Sequence, residues 1–198
     1  MPVNENLAYY EHNASAYAKR TRSRLDRDAL QAFSHRVLPQ GRVLDAGCGS
    51  GRDLRELIQA GFQAEGVDFS PAMVEIARTY SSAPVACSDL QMLSLKRENL
   101  DGIWAHRVLI HLPPPSVQRV MGTFFAALKP GGILFTSIEE GQGTEEDRFD
   151  DPNGPARRFY LYPSNEFASL LRQSGFQLLA QGKNLEASRQ IGFIARRL

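Results

Sequence analysis

Three carboxylates each follow an apolar run in this chain: Asp45 after Val43-Leu44, Asp68 after Phe62 to Val67, and Asp89 shortly after Pro84 to Cys87. Between the first two lie Gly47, Gly49 and Gly51, then a helical stretch from Asp53 to Ala60. Glycine lets a backbone approach a ligand where a Cβ would obstruct it. The start of the helix turns its unpaired amide donors toward the loop, which favours a carboxylate or phosphate there. Asp68 is placed to accept from the two hydroxyls of a ribose, and Asp89 from the exocyclic amine of adenine. The stretch from Val43 to Ser70 therefore reads as a strand–loop–helix–strand unit, the minimal device for holding an adenosine-containing cofactor at the carboxyl edge of a parallel sheet.

Two residues separate the cofactor classes. The dinucleotide fingerprint needs a small residue three positions after its second glycine, and Arg52 stands there. Asp45 would oppose a pyrophosphate but can meet an ammonium. A cofactor with both an amino and a carboxylate group fits better than a dinucleotide, which leaves a nicotinamide-dependent oxidoreductase as the weaker alternative.

Four histidines are present, at 12, 35, 106 and 111. His106 lies just past the fourth strand, on the binding edge, and is the candidate general base. His35 sits in a scaffold helix. Arg107 either orients an anionic acceptor or makes a surface ion pair. The run from Arg157 to Tyr162 offers Arg157, Arg158, Tyr160 and Tyr162 to an acidic or aromatic small molecule. The competing reading packs Phe159 and Leu161 on the core and lets the arginines answer the upstream acids Glu145, Glu146 and Asp147. Cys48, inside the glycine loop, has no base beside it and reads as a small space-filler. His106 and His111 are five residues apart with no third ligand in view, so no metal site is expected.

These residues need elements to position them. Leu7, Tyr10, Ala14 and Tyr17 recur at helical spacing within Asn6 to Arg24, as an amphipathic helix or as a lid whose rings and Thr21-Arg22 cover the cofactor. A core-facing helix is expected from Leu25 to Val37, stopped by Pro39-Gln40-Gly41. Ser70-Pro71 starts another helix. Leu100 to Ala105 reads as the fourth strand and Ile133 to Ile138 as the fifth. Ser116 is read as the cap of the helix carrying Val117, Val120, Met121, Phe124, Phe125 and Leu128. The stretch from Glu139 to Pro163 breaks the pattern and reads as a functional lid or a disordered loop. Ser164 caps a last helix, and Phe176 to Gln181 and Gln190 to Arg196 are two closing strands joined by a polar turn. The alternation predicts a doubly wound α/β domain over the whole chain, with residues 1–38 as lid or scaffold and 139–163 as a substrate-side insert.

Bulk properties narrow the class. With 198 residues, 42% of them hydrophobic, the chain suffices for one domain with a full core. Its 23 basic and 22 acidic residues give a formal charge of +1, so no global field recruits nucleic acid or an anionic membrane. No apolar run is long enough to span a bilayer, the segment Met1 to Glu11 lacks a signal peptide's apolar region, and two cysteines make no disulfide framework. The expectation is a cytoplasmic monomer or homodimer whose partner is a small molecule.

The ordered pieces Val43 to Gly51, Gly66-Val67-Asp68-Phe69-Ser70, Ser88-Asp89-Leu90, Asp101 to Ala105 and Leu128-Lys129-Pro130-Gly131-Gly132 resemble the class I S-adenosylmethionine-dependent methyltransferases that act mostly on small molecules. The resemblance covers roughly Tyr10 to Ile138. It implies a seven-stranded, mostly parallel sheet with the last strand antiparallel. It implies S-adenosylmethionine as cofactor, S-adenosylhomocysteine as product, and an acceptor at oxygen, nitrogen or sulfur. It implies that Asp45 and the Gly47–Gly51 loop, with Cys48, surround the methionine part, that Asp68 holds the ribose and that Asp89 with Leu90 reads the adenine. Phe69, Ser70, Ala105 and His106 join that set through their motifs, Arg52 through the cofactor carboxylate, and Tyr10, Tyr17 and Arg22 as cover. His111 matches a histidine common in similar proteins, with a structural or a catalytic role. A cofactor-binding protein without turnover remains the alternative of a different class; RNA or protein methylation is disfavoured by the charge balance and by the absence of an Asn/Asp-Pro-Pro-Tyr-type motif.

Overall fold

The computed structural model describes residues 5–148, 151–183 and 189–198. Strand β1 (Arg42–Ala46) is buried on both faces, so successive side chains serve two different cores. Val43 faces one with Trp104 and Phe135, and Leu44 the other with Ile103 and Leu134. Around β1 the sheet is completed by β2 (Gln63–Asp68), β3 (Val85–Cys87), β4 (Leu100–Ala105), β5 (Leu128–Glu139), β8 (Phe176–Lys183) and β9 (Gln190–Arg197). The order is β3-β2-β1-β4-β5-β9-β8. β9 runs antiparallel to both its neighbours, and the remaining pairings are parallel. This is the doubly wound sheet expected, with its reversed strand one place in from the edge.

Helices α2 (Arg27–Ser34), α3 (Arg52–Gln59) and α4 (Pro71–Ser81) cover one face, and α5 (Pro114–Ala127) and α6 (Ser164–Gln173) the other. Helix α1 (Glu5–Thr21) packs on α4 instead, with Tyr9, Tyr10, Ala14 and Met73 in a third apolar cluster. Asn6 to Thr21 of the expected first helix is helical, and the chain leaves it before Arg24.

Some local expectations are corrected. The helix read from Leu25 starts at Arg27, because Asp26 caps it by accepting from the Ala29 amide at 3.1 Å. Ser116 is not a cap: α5 begins two residues earlier at Pro114, and the Ser116 hydroxyl donates to Gln91 Oε1 at 2.6 Å. Ser164 makes no capping hydrogen bond either, since Pro163 occupies that position. The fifth strand, expected from Ile133, starts already at Leu128, so Lys129 to Gly132 lie within β5, and its pairing with β4 shifts register between Leu100 and Gly102. The insert is neither a bare lid nor a loop throughout. It holds a two-stranded antiparallel sheet of β6 (Thr144–Asp147) and β7 (Arg157–Tyr160). The polar turn between the closing strands falls, over residues 184–188, outside the described residues. No helix among the described residues is long and apolar enough to cross a membrane.

Candidate active site

The parallel strands β1, β2 and β4 end at one edge of the sheet, and the segments after them line a cavity of about 460 Å³ roofed by α1 and the β6–β7 insert. The loop after β1 is tied to β2 by its own backbone: Gly47 and Cys48 donate to the Val67 carbonyl at 2.8 and 3.0 Å, and the Gly49 amide donates to Asp68 Oδ2 at 2.9 Å. Its glycines serve different ends. Gly47, at φ +73, has no room for a Cβ because Val108 stands there, and Gly51, at φ +79, is pressed against the backbone of Ala77. Gly49, at φ +53, has nothing within 4 Å of where a Cβ would lie, so it forms the open cradle in the cavity wall.

Asp45 and Asp68 stand on either side of this loop. Asp45 is 2% exposed, and its Oδ2 has no hydrogen-bond partner among the described residues. Burial pushes its pKa well up, reinforced by Asp53 and opposed by Arg52. A buried acceptor without a donor is costly, so this oxygen is open to a donor from a bound ligand. Asp68 accepts from the Gly49 and Ser70 amides, the latter at 3.0 Å. Burial outweighs those hydrogen bonds and raises its pKa to about 6. Asp89 accepts from the Gln91 amide at 2.9 Å and faces the same cavity with Leu90, Phe69 and Cys48. Burial also raises the Cys48 thiol, consistent with a filler rather than a nucleophile.

Asp53 is a site residue that no motif signals. Burial alone would raise its pKa, but the Arg52 guanidinium and the His106 hydrogen bond hold it far below the carboxylate range. Arg52 grips it with Nε at 2.6 Å and Nη2 at 2.9 Å, Trp104 Nε1 donates at 3.0 Å, and His106 Nδ1 lies 2.9 Å away. The other face of the His106 ring meets Gln190 Nε2 at 2.7 Å, and Gln190 Oε1 accepts from Arg107 at 3.1 Å. Gln190 was invisible in the sequence because it opens β9, 84 residues beyond His106.

His111 sits on the opposite wall. Its Nδ1 lies 3.0 Å from the Arg158 carbonyl and its Nε2 2.9 Å from the Tyr10 hydroxyl. Burial, only partly offset by that carbonyl, lowers its pKa to about 4, so it is neutral at physiological pH. The Tyr10 hydroxyl is pushed well up by burial and held as a phenol. Tyr10, Tyr17 and Arg157 all line the cavity; the Arg157 guanidinium lies 5.1, 5.6 and 4.8 Å from the rings of Tyr9, Tyr17 and Phe159 and pairs with Asp147 at 2.8 Å.

Some expected site residues stand elsewhere. Arg22 is not a cover for this cavity: its guanidinium stacks 4.3 Å from the Tyr80 ring in a shallow depression beside Ile76 and Thr79. Ser70 is fully buried, donates to Glu11 and caps α4 through the Met73 amide, and Ala105 is fully buried in the core; neither lines the cavity. Arg158 turns outward to Glu5 and Glu146, at 2.9 and 2.8 Å. Tyr160 packs against the core, and Tyr162 donates its hydroxyl to the Leu112 carbonyl at 2.8 Å. The arginines of this run do answer the upstream acids, Arg157 through Asp147 and Arg158 through Glu146, and Phe159 is buried, as the packing reading has it; Leu161 is only half-buried, and Arg157 lines the cavity as well. Thr21, read as part of the cover, does line the cavity, and residues that line it without having been read as ligands include Arg20, Arg24 and Leu25 at the end of α1 and just after it. Among the described residues no group of three His, Cys, Asp or Glu side chains could hold a metal ion.

Comparison with known proteins adds to this geometry. Residues 13–181 match a family model described as "Methyltransferase domain". A ubiquinone biosynthesis O-methyltransferase of Coxiella burnetii is 33% identical over 114 residues, which are 54% of this chain and 48% of that protein. The chain thus spans about half the length of the curated relatives it matches. A crystal structure of a S-adenosylmethionine-dependent methyltransferase from Methanosarcina mazei superposes with a TM-score of 0.75 at 22% identity, covering 84% of this chain and 97% of the other. The 1,6-didemethyltoxoflavin-N1-methyltransferase of Burkholderia thailandensis, solved with 1,6-didemethyltoxoflavin and S-adenosylhomocysteine, superposes with a TM-score of 0.71 at 20% identity over all of this chain and 91% of the other.

Proposed function

The chain belongs to the class I S-adenosylmethionine-dependent methyltransferases, and we propose from that premise that it transfers a methyl group from this cofactor to an oxygen, nitrogen or sulfur atom of a small molecule. The observation that carries the reading is the buried, unpartnered Oδ2 of Asp45 in the cavity wall, which fits the cofactor's ammonium. Around it, among the described residues Arg52 Nη1 reaches only the Thr21 carbonyl, at 3.4 Å, and is available to the cofactor carboxylate. Asp68 accepts the ribose hydroxyls, Asp89 with Leu90 meets the adenine, and the open cradle at Gly49 lets the backbone lie close to the ligand.

When bound, the cofactor supplies an activated methyl group on a positively charged sulfur, so the protein has only to orient the acceptor, exclude water and take up a proton where the acceptor carries one. Tyr10, Tyr17 and Arg157 form the water-excluding roof. Arg107, Val108, Leu112 and the two histidines surround the acceptor's end of the cavity. His106 is the proton acceptor, and the neutral His111 orients Tyr10. The size of the roofed cavity, about 460 Å³, and the names of the relatives, a ubiquinone biosynthesis O-methyltransferase and a 1,6-didemethyltoxoflavin-N1-methyltransferase, support a small acceptor over a macromolecule.

Calorimetry with S-adenosylmethionine and S-adenosylhomocysteine, followed by a screen of phenols, amines and thiols for release of S-adenosylhomocysteine, tests the proposal. Both ligands are expected to bind and at least one acceptor to be methylated. No heat with either ligand at high micromolar concentration overturns the cofactor assignment. Binding without transfer to any acceptor would instead favour a cofactor-binding protein on the same fold.

A further inference from the structure

The two histidines of the cavity are wired differently. His111 has a neutral carbonyl behind its Nδ1, whereas His106 has the Asp53 carboxylate, itself held by Arg52 and Trp104. The hydrogen bond at His106 Nε2 takes its direction from a distance. Glu139 anchors Arg107 at 2.6 Å, and the Arg107 guanidinium, which has donors alone, requires Oε1 of Gln190 as its acceptor. That orientation turns the Gln190 NH₂ onto His106 Nε2, which must then be the bare, accepting nitrogen, so Nδ1 carries the hydrogen and gives it to Asp53 at 2.9 Å, while Arg52 Nη2, 3.1 Å from the same Nδ1, spends its hydrogen on Asp53 Oδ2 at 2.9 Å. The opposite tautomer would set an N–H against the Gln190 amide donor. Arg107 holds a left-handed backbone at φ +56, with its amide donating to Ser137 Oγ at 2.9 Å, a strained conformation for a residue with a Cβ and one that fixes where its side chain starts.

From this wiring we infer that Asp53, His106 and Gln190 form one proton-accepting unit, in which the Gln190 amide holds the place on His106 Nε2 that the acceptor's own hydroxyl or amine takes during the reaction. The inference rests on the methyl-transfer reading and deepens it. When the acceptor's X–H group displaces the Gln190 amide, the X–H bond breaks, its proton goes to Nε2, and the electron pair left on X forms the bond to the methyl carbon as the carbon–sulfur pair returns to sulfur. The positive charge lost from sulfur reappears on the imidazolium, next to Asp53, and leaves as the proton passes to water. His106 is the catalytic residue of the unit; Asp53 and Gln190 are positioning residues, the same division of labour as base and orienting carboxylate in other proton-transfer sites. Neither Tyr10 nor Arg158 gives His111 such support.

The test reads the imidazole nitrogens directly. In protein labelled with ¹⁵N in its histidine rings and saturated with S-adenosylhomocysteine at neutral pH, long-range ¹H–¹⁵N spectra, assigned by the loss of signals in H106Q, are expected to show His106 protonated on Nδ1 and bare on Nε2. D53N should shift it toward the Nε2-protonated tautomer. Q190L should leave Nδ1 protonated while changing the hydrogen-bond-dependent shift of Nε2, and this arm stands if D53N fails to fold. With an acceptor from the screen, H106Q should lower kcat by about 100-fold or more while S-adenosylhomocysteine affinity stays within about threefold. A wild-type His106 protonated on Nε2, an Nε2 shift that Q190L does not move, or an unchanged kcat in H106Q overturns the unit. Failure of the wild type to bind S-adenosylhomocysteine overturns the methyl-donor reading instead, and the tautomer in the unliganded protein then still decides the wiring.

Discussion

On the proposed reading one wall of the cavity holds the cofactor and the other the acceptor, and the two are built by different means. The cofactor wall is made of backbone: the Gly47–Gly51 loop hydrogen-bonds to β2, and the carboxylates of Asp68 and Asp89 accept from amides two to nineteen residues away. The acceptor wall is made of side chains that meet across the chain, with Tyr10 on His111, Arg157 on Asp147 and on the ring of Tyr9, and Gln190 on His106. A backbone-built wall depends on glycines and on a few acids at strand ends, so one short stretch of chain specifies it. A wall assembled from side chains depends on every element that delivers one, and it can be remodelled by changing any of them. The first arrangement suits an invariant ligand and the second an acceptor that differs between relatives.

The sharpest way to break the contrast is at Asp68. Its removal in D68A takes away the acceptor for the ribose and also orphans the Gly49 and Ser70 amides. Affinity for S-adenosylhomocysteine measured by calorimetry is expected to fall by about 100-fold, the worth of two charge-assisted hydrogen bonds. An acceptor-wall substitution such as H111N should leave that affinity within about threefold; equal losses from both would erase the distinction between the walls.

The same carboxylate gives the wall a pH dependence. Burial raises Asp68 to about 6, and the ionised form, with two charged acceptor oxygens, takes the ribose hydroxyls far better than the protonated acid. Affinity for S-adenosylhomocysteine should therefore be retained above pH 6 and fall by about tenfold between pH 7 and pH 5. A carboxylate near its ordinary value would show no such loss in that window, and D68N should be flat across it.

Asp45 offers a case where function and stability oppose one another. D45N should weaken S-adenosylhomocysteine binding by about tenfold, through loss of the ammonium's counter-charge. Because it also removes a buried, unpartnered acceptor charge, the unliganded variant is expected to melt no lower than the wild type in calorimetric scans. A clear drop in melting temperature would mean that the carboxylate has a donor within the protein.

On the acceptor wall, R157Q should lower stability by about 1–2 kcal/mol in urea titrations, since the pair with Asp147 is half open to solvent but the stacking on three rings is not. The cofactor's half-saturation should move less than the acceptor's. The adjacent R158A is expected to change neither measurably, because its partners Glu5 and Glu146 lie at the surface. Similar losses from the two neighbours would show that the whole insert, rather than Arg157 alone, forms the roof.

The boundary between what could be read and what could not follows the same division. Legible in the residues were the alternation of strands and helices, the reversed closing strand through its family resemblance, and the roles open to Asp45, Gly49, Asp68 and Asp89. Each of these depends on local spacing: a glycine at a positive φ, a helix start, an acid at the end of a buried strand. Tertiary structure alone decided that Arg22 and Arg158 leave the site, that Tyr162 spends its hydroxyl on the Leu112 carbonyl, and that Asp53 and Gln190 enter it. Those outcomes depend on which of several nearby partners a long polar side chain finds, and the competing partners are separated by dozens of residues. No periodicity records that choice. A chain motif can place a backbone; only the packed protein places the ends of its arginines, glutamines and histidines.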